Sequence, residues 1–217
     1  MSKISEPLDQ VHKWHSIGAS FLKKEQYDKA FHAFKEGLRI DPENAELWYQ
    51  IGIVLSRQER HRDAIRMFRN TLRYAPGNQN ARLQLGISFH EAGMYKEGIS
   101  VLTPLLADQP GTCLAWLYRG SCLTARGLFD QALADLQEAI DCGLSQVEIW
   151  VLQGYCYEQL GNHQESIDAY LTATEIAPDD PMPFFGLAGS LIQIGETGQA
   201  EEDLRAAQKI DPEITDA

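Results

Sequence analysis

Several marks of common functional classes are missing from this 217-residue chain. Basic side chains are in the minority, 19 Lys and Arg against 31 Asp and Glu, which leaves a net charge of -12 at pH 7. A protein that grips nucleic acid through its phosphates needs clustered cations to displace counterions, so a nucleic-acid partner is not expected. Residues 1–10, MSKISEPLDQ, hold neither the basic segment nor the apolar run of a secretory signal. No stretch of about 18 apolar residues occurs, so direct membrane insertion is not expected and a cytoplasmic protein is. Cysteine is scarce: Cys113, Cys122, Cys142 and Cys156 show no C-x-x-C or Cys/His ligand spacing, and are read as ordinary thiols of a reducing compartment. His12 and His15 share a helical face, yet no third ligand follows at metal-binding distance. Phosphate-loop, nucleophile-elbow and zincin motifs are absent too, so no catalytic residue, metal or cofactor is expected and the chain is read as a non-enzyme.

What is present is repetition. All four tryptophans, Trp14, Trp48, Trp116 and Trp150, stand on one lattice with a step of 34 residues, whose other points are Arg82 and Phe184. Four residues further on the lattice reads Gly18, Gly52, Gly86, Gly120, Gly154 and Ala188. A later small-residue column reads Ala30, Ala64, Gly98, Ala132, Ser166 and Ala200, and a last one Pro42, Pro76, Pro110, Leu144, Pro178 and Pro212. Each unit carries two stretches of helical apolar periodicity, as in Trp48, Ile51, Gly52 and Leu55 followed by Ala64, Ile65, Phe68 and Leu72. Gly93, Gly127, Gly161 and Gly195 mark the turn between them, with Glu25 and Glu59 at that place in the first two units. Asp180 before Pro181 predicts a helix start, and Ser145 with Glu148 predicts a capping box that restarts the chain where the proline is replaced by Leu144.

The columns W-x2-[LI]-G-x2-[YFL], small-x3-[FYL] and Pro resemble the tetratricopeptide repeat (TPR) family. The resemblance implies an all-α, right-handed α-solenoid of six helix-turn-helix repeats with a concave groove. The expected organisation is a leader 1–10, one domain 11–214 built of repeats 11–44, 45–78, 79–112, 113–146, 147–180 and 181–214, and a tail 215–217. The Trp, Gly and Ala columns are expected to fill the core of each helix pair, and Cys122 and Cys156, which share a column with Ser20, Ser88 and Ser190, are expected to be there for their small size. Glu201 and Gln208, polar where earlier repeats are apolar, imply that the sixth repeat is itself the terminal cap.

By the same resemblance the first helix of each repeat lines the groove. The side chains this places there include Tyr49, Ile53 and Arg57 of the second repeat, Leu83, Ile87 and His90 of the third, Leu114, Leu117 and Ser121 of the fourth, Val151, Tyr155 and Glu158 of the fifth, and Phe185 of the sixth. Apolar residues dominate, so a partner segment with spaced apolar anchors is the expected occupant, its direction set by Arg57, His90 and Glu158. The cationic clamp with which some family members grip acidic chaperone tails is missing: its positions read His15, Ala19, Gln50, Asn80 and Gln84. Charge runs from +3 in the second repeat to -7 in the fifth, and Arg62, Arg66, Arg69 and Arg73 form a basic patch on the outer, convex face of one helix. The reading is a noncatalytic protein-interaction adaptor or scaffold. Two alternatives stay open: a chaperone for a secretion-system client, and a self-assembling homo-oligomer joined through basic N-terminal and acidic C-terminal ends.

Overall fold

The computed structural model describes residues 5–213; residues 1–4 of the expected leader and residues 214–217, which include the expected tail, lie outside them. Twelve α-helices account for the described residues, with no strand among them: α1 (Ser5–Lys23), α2 (Tyr27–Ile40), α3 (Ala45–Arg57), α4 (His61–Tyr74), α5 (Gln79–Glu91), α6 (Tyr95–Asp108), α7 (Cys113–Ala125), α8 (Phe129–Asp141), α9 (Val147–Gln159), α10 (His163–Ile176), α11 (Pro181–Gln193) and α12 (Thr197–Ile210). From α3 onward the first helices begin at 45, 79, 113, 147 and 181, and the second helices at 27, 61, 95, 129, 163 and 197, so both series keep the 34-residue step of the columns. Only α1 departs, starting at Ser5 inside the expected leader. No described helix is long and apolar enough to cross a membrane.

The turn inside each repeat is the same in all six. The second residue after the first helix adopts the left-handed conformation, at Gly93, Gly127, Gly161 and Gly195 and also at Glu25 (φ 56°) and Glu59 (φ 59°). The next N–H then bonds back to the carbonyl five residues earlier, as from Gln26 to Phe21 (2.9 Å), Arg60 to Leu55 (2.9 Å) and Asn162 to Tyr157 (2.9 Å). This closure satisfies carbonyls that the ending helix leaves open, and it recurs with glutamate in place of glycine, so the closure of the hairpin outweighs the steric cost of φ > 0.

Turns between repeats are more varied. Asn44, Asn78 and Asp180 cap α3, α5 and α11 through their side chains, accepting from Leu47 (3.1 Å), Ala81 (2.9 Å) and Met182 (3.0 Å). The capping box expected at Ser145 and Glu148 does not form: the N-cap of α9 is Gln146, with no side-chain bond. Instead α8 ends on Gly143 (φ 101°), with the Leu144 N–H donating to Ala139 O (3.1 Å), so a glycine closure stands in for the missing proline turn.

The tryptophan column also differs from expectation. Trp48 and Trp116 are only partly buried, and their indole N–H groups donate to the carbonyls of Pro42 (2.8 Å) and Pro110 (2.7 Å). Arg82, which replaces tryptophan in the third repeat, donates to Pro76 O (3.2 Å). In the second, third and fourth repeats the column thus supplies an N–H that reaches the preceding turn, from indole or guanidinium; Phe184 of the sixth has none. The space opposite the glycines is filled by the second helix instead: a Cβ at Gly52 would lie 2.5 Å from the buried Phe68 ring, and one at Gly154 2.8 Å from Tyr170.

The helices form two compact units, residues 1–108 and 109–217. In the first, Phe34, Leu47, Val54, Leu55, Phe68 and Phe89 form the centre of the core. In the second, buried Leu136, Ile149, Tyr170 and Leu187 take that part, and Asp135 is buried with Arg119, which donates to both its oxygens at 2.7 Å and lies over the Trp116 ring. Cys113 and Cys142 are disulfide-bonded, their Cα atoms 5.5 Å apart, which corrects the expectation of four ordinary thiols. They stand at the start of α7 and the end of α8, and the antiparallel hairpin brings those two ends together although 29 residues separate them. Cys122 and Cys156 are free and buried. On α12, Glu201 and Gln208 are exposed, where Ile65 and Ile167 at the matching place in earlier repeats are buried.

Candidate partner-binding grooves

In the first unit the predicted groove residues are mostly half-buried. Tyr49 tilts against Phe68, ring centres 5.8 Å apart, and burial, with a smaller contribution from the Glu46 carboxylate, raises its phenol above the ordinary value. Ile53, Leu83, Ile87 and His90 are also half-buried, and His90 Nδ1 lies 3.2 Å from a Glu91 carboxylate oxygen. Ile53 and the exposed Arg57 border a cavity of about 390 Å³ together with Ala19, Leu22, Lys23, Glu25 and Tyr27.

The four arginines of the expected basic patch are exposed along α4, but their charge is partly engaged. Arg66 pairs with Asp63, and that partnership together with Arg60 holds the Asp63 carboxyl below the usual carboxylate range. Arg69 lies over the Phe89 ring (5.4 Å) and Arg73 over Tyr74 (5.7 Å), whereas Arg62 projects outward.

The second unit holds the more open surface. Leu117 is 2% exposed and Ser121 is also buried, so these two belong to the packing, while Leu114 is exposed. Val151, Tyr155 and Glu158 of α9 come together with Phe185 of α11 around a cavity of about 340 Å³. Tyr155 (42% exposed), Met182 (55%), Phe185 (43%) and Ile192 (49%) present large apolar area to solvent. α9 and α11 are consecutive first helices, the elements that the resemblance assigns to the groove.

Tyr170 is the wall residue that the groove prediction did not include. It comes from the second helix α10, is 4% exposed, and has no hydrogen-bond partner for its hydroxyl among the described residues. Its ring reaches the cavity because Gly154 on one side and Gly186 on the other leave no Cβ in its path. The signal was present in the sequence: Ser16, Gln50, Gln84, Tyr118 and Leu152 hold the position that Gly186 takes in the sixth repeat. Burial raises the Tyr170 phenol far above its ordinary value, and Glu158, then Cys156 and Tyr155, push the same way.

Comparison with known proteins agrees with this architecture. Family profiles described as TPR repeat and tetratricopeptide repeat match residues 18–59, 55–118 and 125–181. No curated protein matches the chain. Among solved structures, a tetratricopeptide repeat protein from Parabacteroides merdae is similar with a TM-score of 0.79 at 18% identity, over 93% of this chain and 80% of that one. MamA from Desulfovibrio magneticus gives 0.72 at 18% identity, over 80% and 97%. YrrB, described as a TPR protein with an unusual peptide-binding site, gives 0.72 at 19% identity, over 83% and 93%. At these identities the likeness speaks for the fold.

Proposed function

The chain belongs to the tetratricopeptide repeat family, and from that premise we propose that it is a noncatalytic adaptor or scaffold that holds a protein partner's segment on the face lined by its first helices. The observation that carries the reading is the exposed apolar surface of α9 and α11, where Tyr155, Met182 and Phe185 line one cavity and Ile192 is exposed as well. Apolar area of this kind on a soluble surface marks an interaction site. That YrrB is described as peptide-binding supports the same use of the fold here.

The test is a crosslinking pull-down from the native cell. Tyr155→Ala with Phe185→Ser is expected to lose the wild-type partner while keeping its helical signal, and Arg66→Glu with Arg69→Glu to keep it. Retention of every partner by the Tyr155/Phe185 variant refutes the groove. Treating residues 11–214 as one domain is part of the proposal, and limited proteolysis that cuts first at residues 108–112 into two stable halves overturns it. A cytoplasmic location belongs here too, and the Cys113–Cys142 disulfide weighs against a permanently reducing one. Trapping thiols in intact cells decides between them.

A further inference from the structure

The apolar cavity of the second unit lies in a chain segment devoid of cations. No Lys or Arg occurs between Arg126 and Arg205, and the fifth repeat alone, 147–180, has seven Asp or Glu. Two independent features of the cavity point to a ligand with polar chemistry at one end. Glu158 has no cationic partner among the described residues, and the nine-tenths-buried Tyr170 beside it leaves its hydroxyl unpaired. The hydroxyl is not sealed off from the cavity, so an incoming polar group can pair with it and with the neighbouring carboxylate. The floor beside Glu158 is bare: a Cβ at Gly189 would meet nothing nearer than Glu158 Oε1 at 3.8 Å.

We propose that this cavity seats a cationic partner segment, in which a large apolar side chain enters over Gly189 between Tyr155, Met182 and Phe185 while an adjacent Lys or Arg pairs with Glu158. The assignment rests on the groove reading above and adds the chemistry of the occupant. Charge complementarity selects it. An acidic segment meets like charge from Glu158 and its surroundings, and a purely apolar one leaves the Glu158 and Tyr170 polar atoms without partners. A cation placed there is held by a charge-assisted bond in a half-buried site, stronger than one on an open surface.

The experiment selects a random dodecapeptide phage library against the full chain and against two variants. Gly189→Leu fills the floor, and Glu158→Gln keeps the shape of the carboxylate while removing its charge. The expected result is enrichment of sequences with Lys or Arg within two residues of Phe, Trp or Leu. Synthetic versions, followed by fluorescence anisotropy, are expected to bind Glu158→Gln about tenfold more weakly and to lose binding to Gly189→Leu. They are also expected to bind wild type more weakly as salt rises. Enrichment of Asp or Glu, or peptides indifferent to Glu158→Gln, overturns the proposal. If peptides indifferent to Glu158→Gln are lost on Tyr155→Ala with Phe185→Ser, the groove reading survives and the cationic occupant falls. If no variant affects any selected peptide, both fall. A wild-type dimer that Gly189→Leu dissociates puts a second copy of the chain in the cavity and likewise overturns the proposal.

Discussion

Gly52 and Gly120 stand at the same place in their repeats, yet alanine at the two has different consequences. Replacing a helix-interior glycine by alanine gains about 1 kcal/mol of helix propensity. Against this, a Cβ at Gly52 falls 2.5 Å from one Phe68 ring atom and 2.8 Å from two others, and that ring is wholly buried with no room to retreat. Overpacking of this kind costs about 1–3 kcal/mol, so after the propensity gain the net loss for Gly52→Ala is up to about 2 kcal/mol. At Gly120 the nearest atoms are Leu136 Cγ at 3.2 Å and Asp135 Cβ at 3.3 Å, which a shift of a few tenths of an ångström accommodates. There gain and strain cancel to within about 0.5 kcal/mol. Gly198, inside α12 with nothing within 4 Å of a Cβ, is the control, and Gly198→Ala is expected to stabilise by up to about 1 kcal/mol. Urea unfolding followed by far-UV circular dichroism measures all three. Phe68→Leu in the Gly52→Ala background relieves the contact and is expected to show a favourable coupling. If Gly52→Ala proves as stable as wild type, or Gly120→Ala as damaging as Gly52→Ala, the steric account is wrong.

Asp135→Ala takes the carboxylate from the half-buried Arg119 and is expected to cost up to about 3 kcal/mol, most of it recovered in Arg119→Met with Asp135→Leu; equal stability of the single variant and wild type in urea refutes this. Cys142→Ser removes a bridge across 29 residues, worth about 3.6 kcal/mol by chain entropy, so the variant and the dithiothreitol-treated wild type are expected to melt together below the oxidised protein. Glu59→Gly removes a left-handed glutamate and is expected to raise the melting temperature, by about 1 kcal/mol of stability less the entropy that glycine returns to the unfolded chain. Burial, and secondarily Glu202, holds the Asp203 carboxyl above its ordinary value, so its ionisation opposes folding as pH rises past that value. Asp203→Asn is therefore expected to stabilise at neutral pH, with the gain vanishing in acid below the ordinary aspartate range; a pH-independent difference in urea midpoints contradicts it.

The helix pairs and their places were legible before any coordinates because each repeat is one local unit. A 34-residue period, glycine after the first helix and apolar spacing of helical pitch are all short-range information, and every helix from α2 onward begins on the lattice they define. The nearness of Val151, Tyr155, Glu158 and Phe185 was legible for the same reason, since they occupy fixed positions on successive first helices, and they meet at one cavity. Column logic failed where a side chain's neighbours come from a different repeat. Leu117 and Tyr155 stand at corresponding faces of their helices, yet one is buried and the other exposed, because what covers a first helix depends on the side chains next to it and not on its own pattern.

Chemistry that depends on distance between remote residues was closed to the sequence altogether. Nothing in the spacing of Cys113 and Cys142 marks a pair until the α7–α8 hairpin brings the two ends within 5.5 Å, nor does the 16-residue interval from Arg119 to Asp135 announce a buried ion pair. The same holds for Tyr170, a core residue by its column, which becomes a cavity wall only because Gly186 of the following repeat lacks a side chain. Periodicity is written in neighbours along the chain, so residue order alone yields the repeat, its helices and the face they share. Close packing is a property of three-dimensional space. It was left to the packed helices to choose which side chains are covered, which charges find partners and where an opening remains.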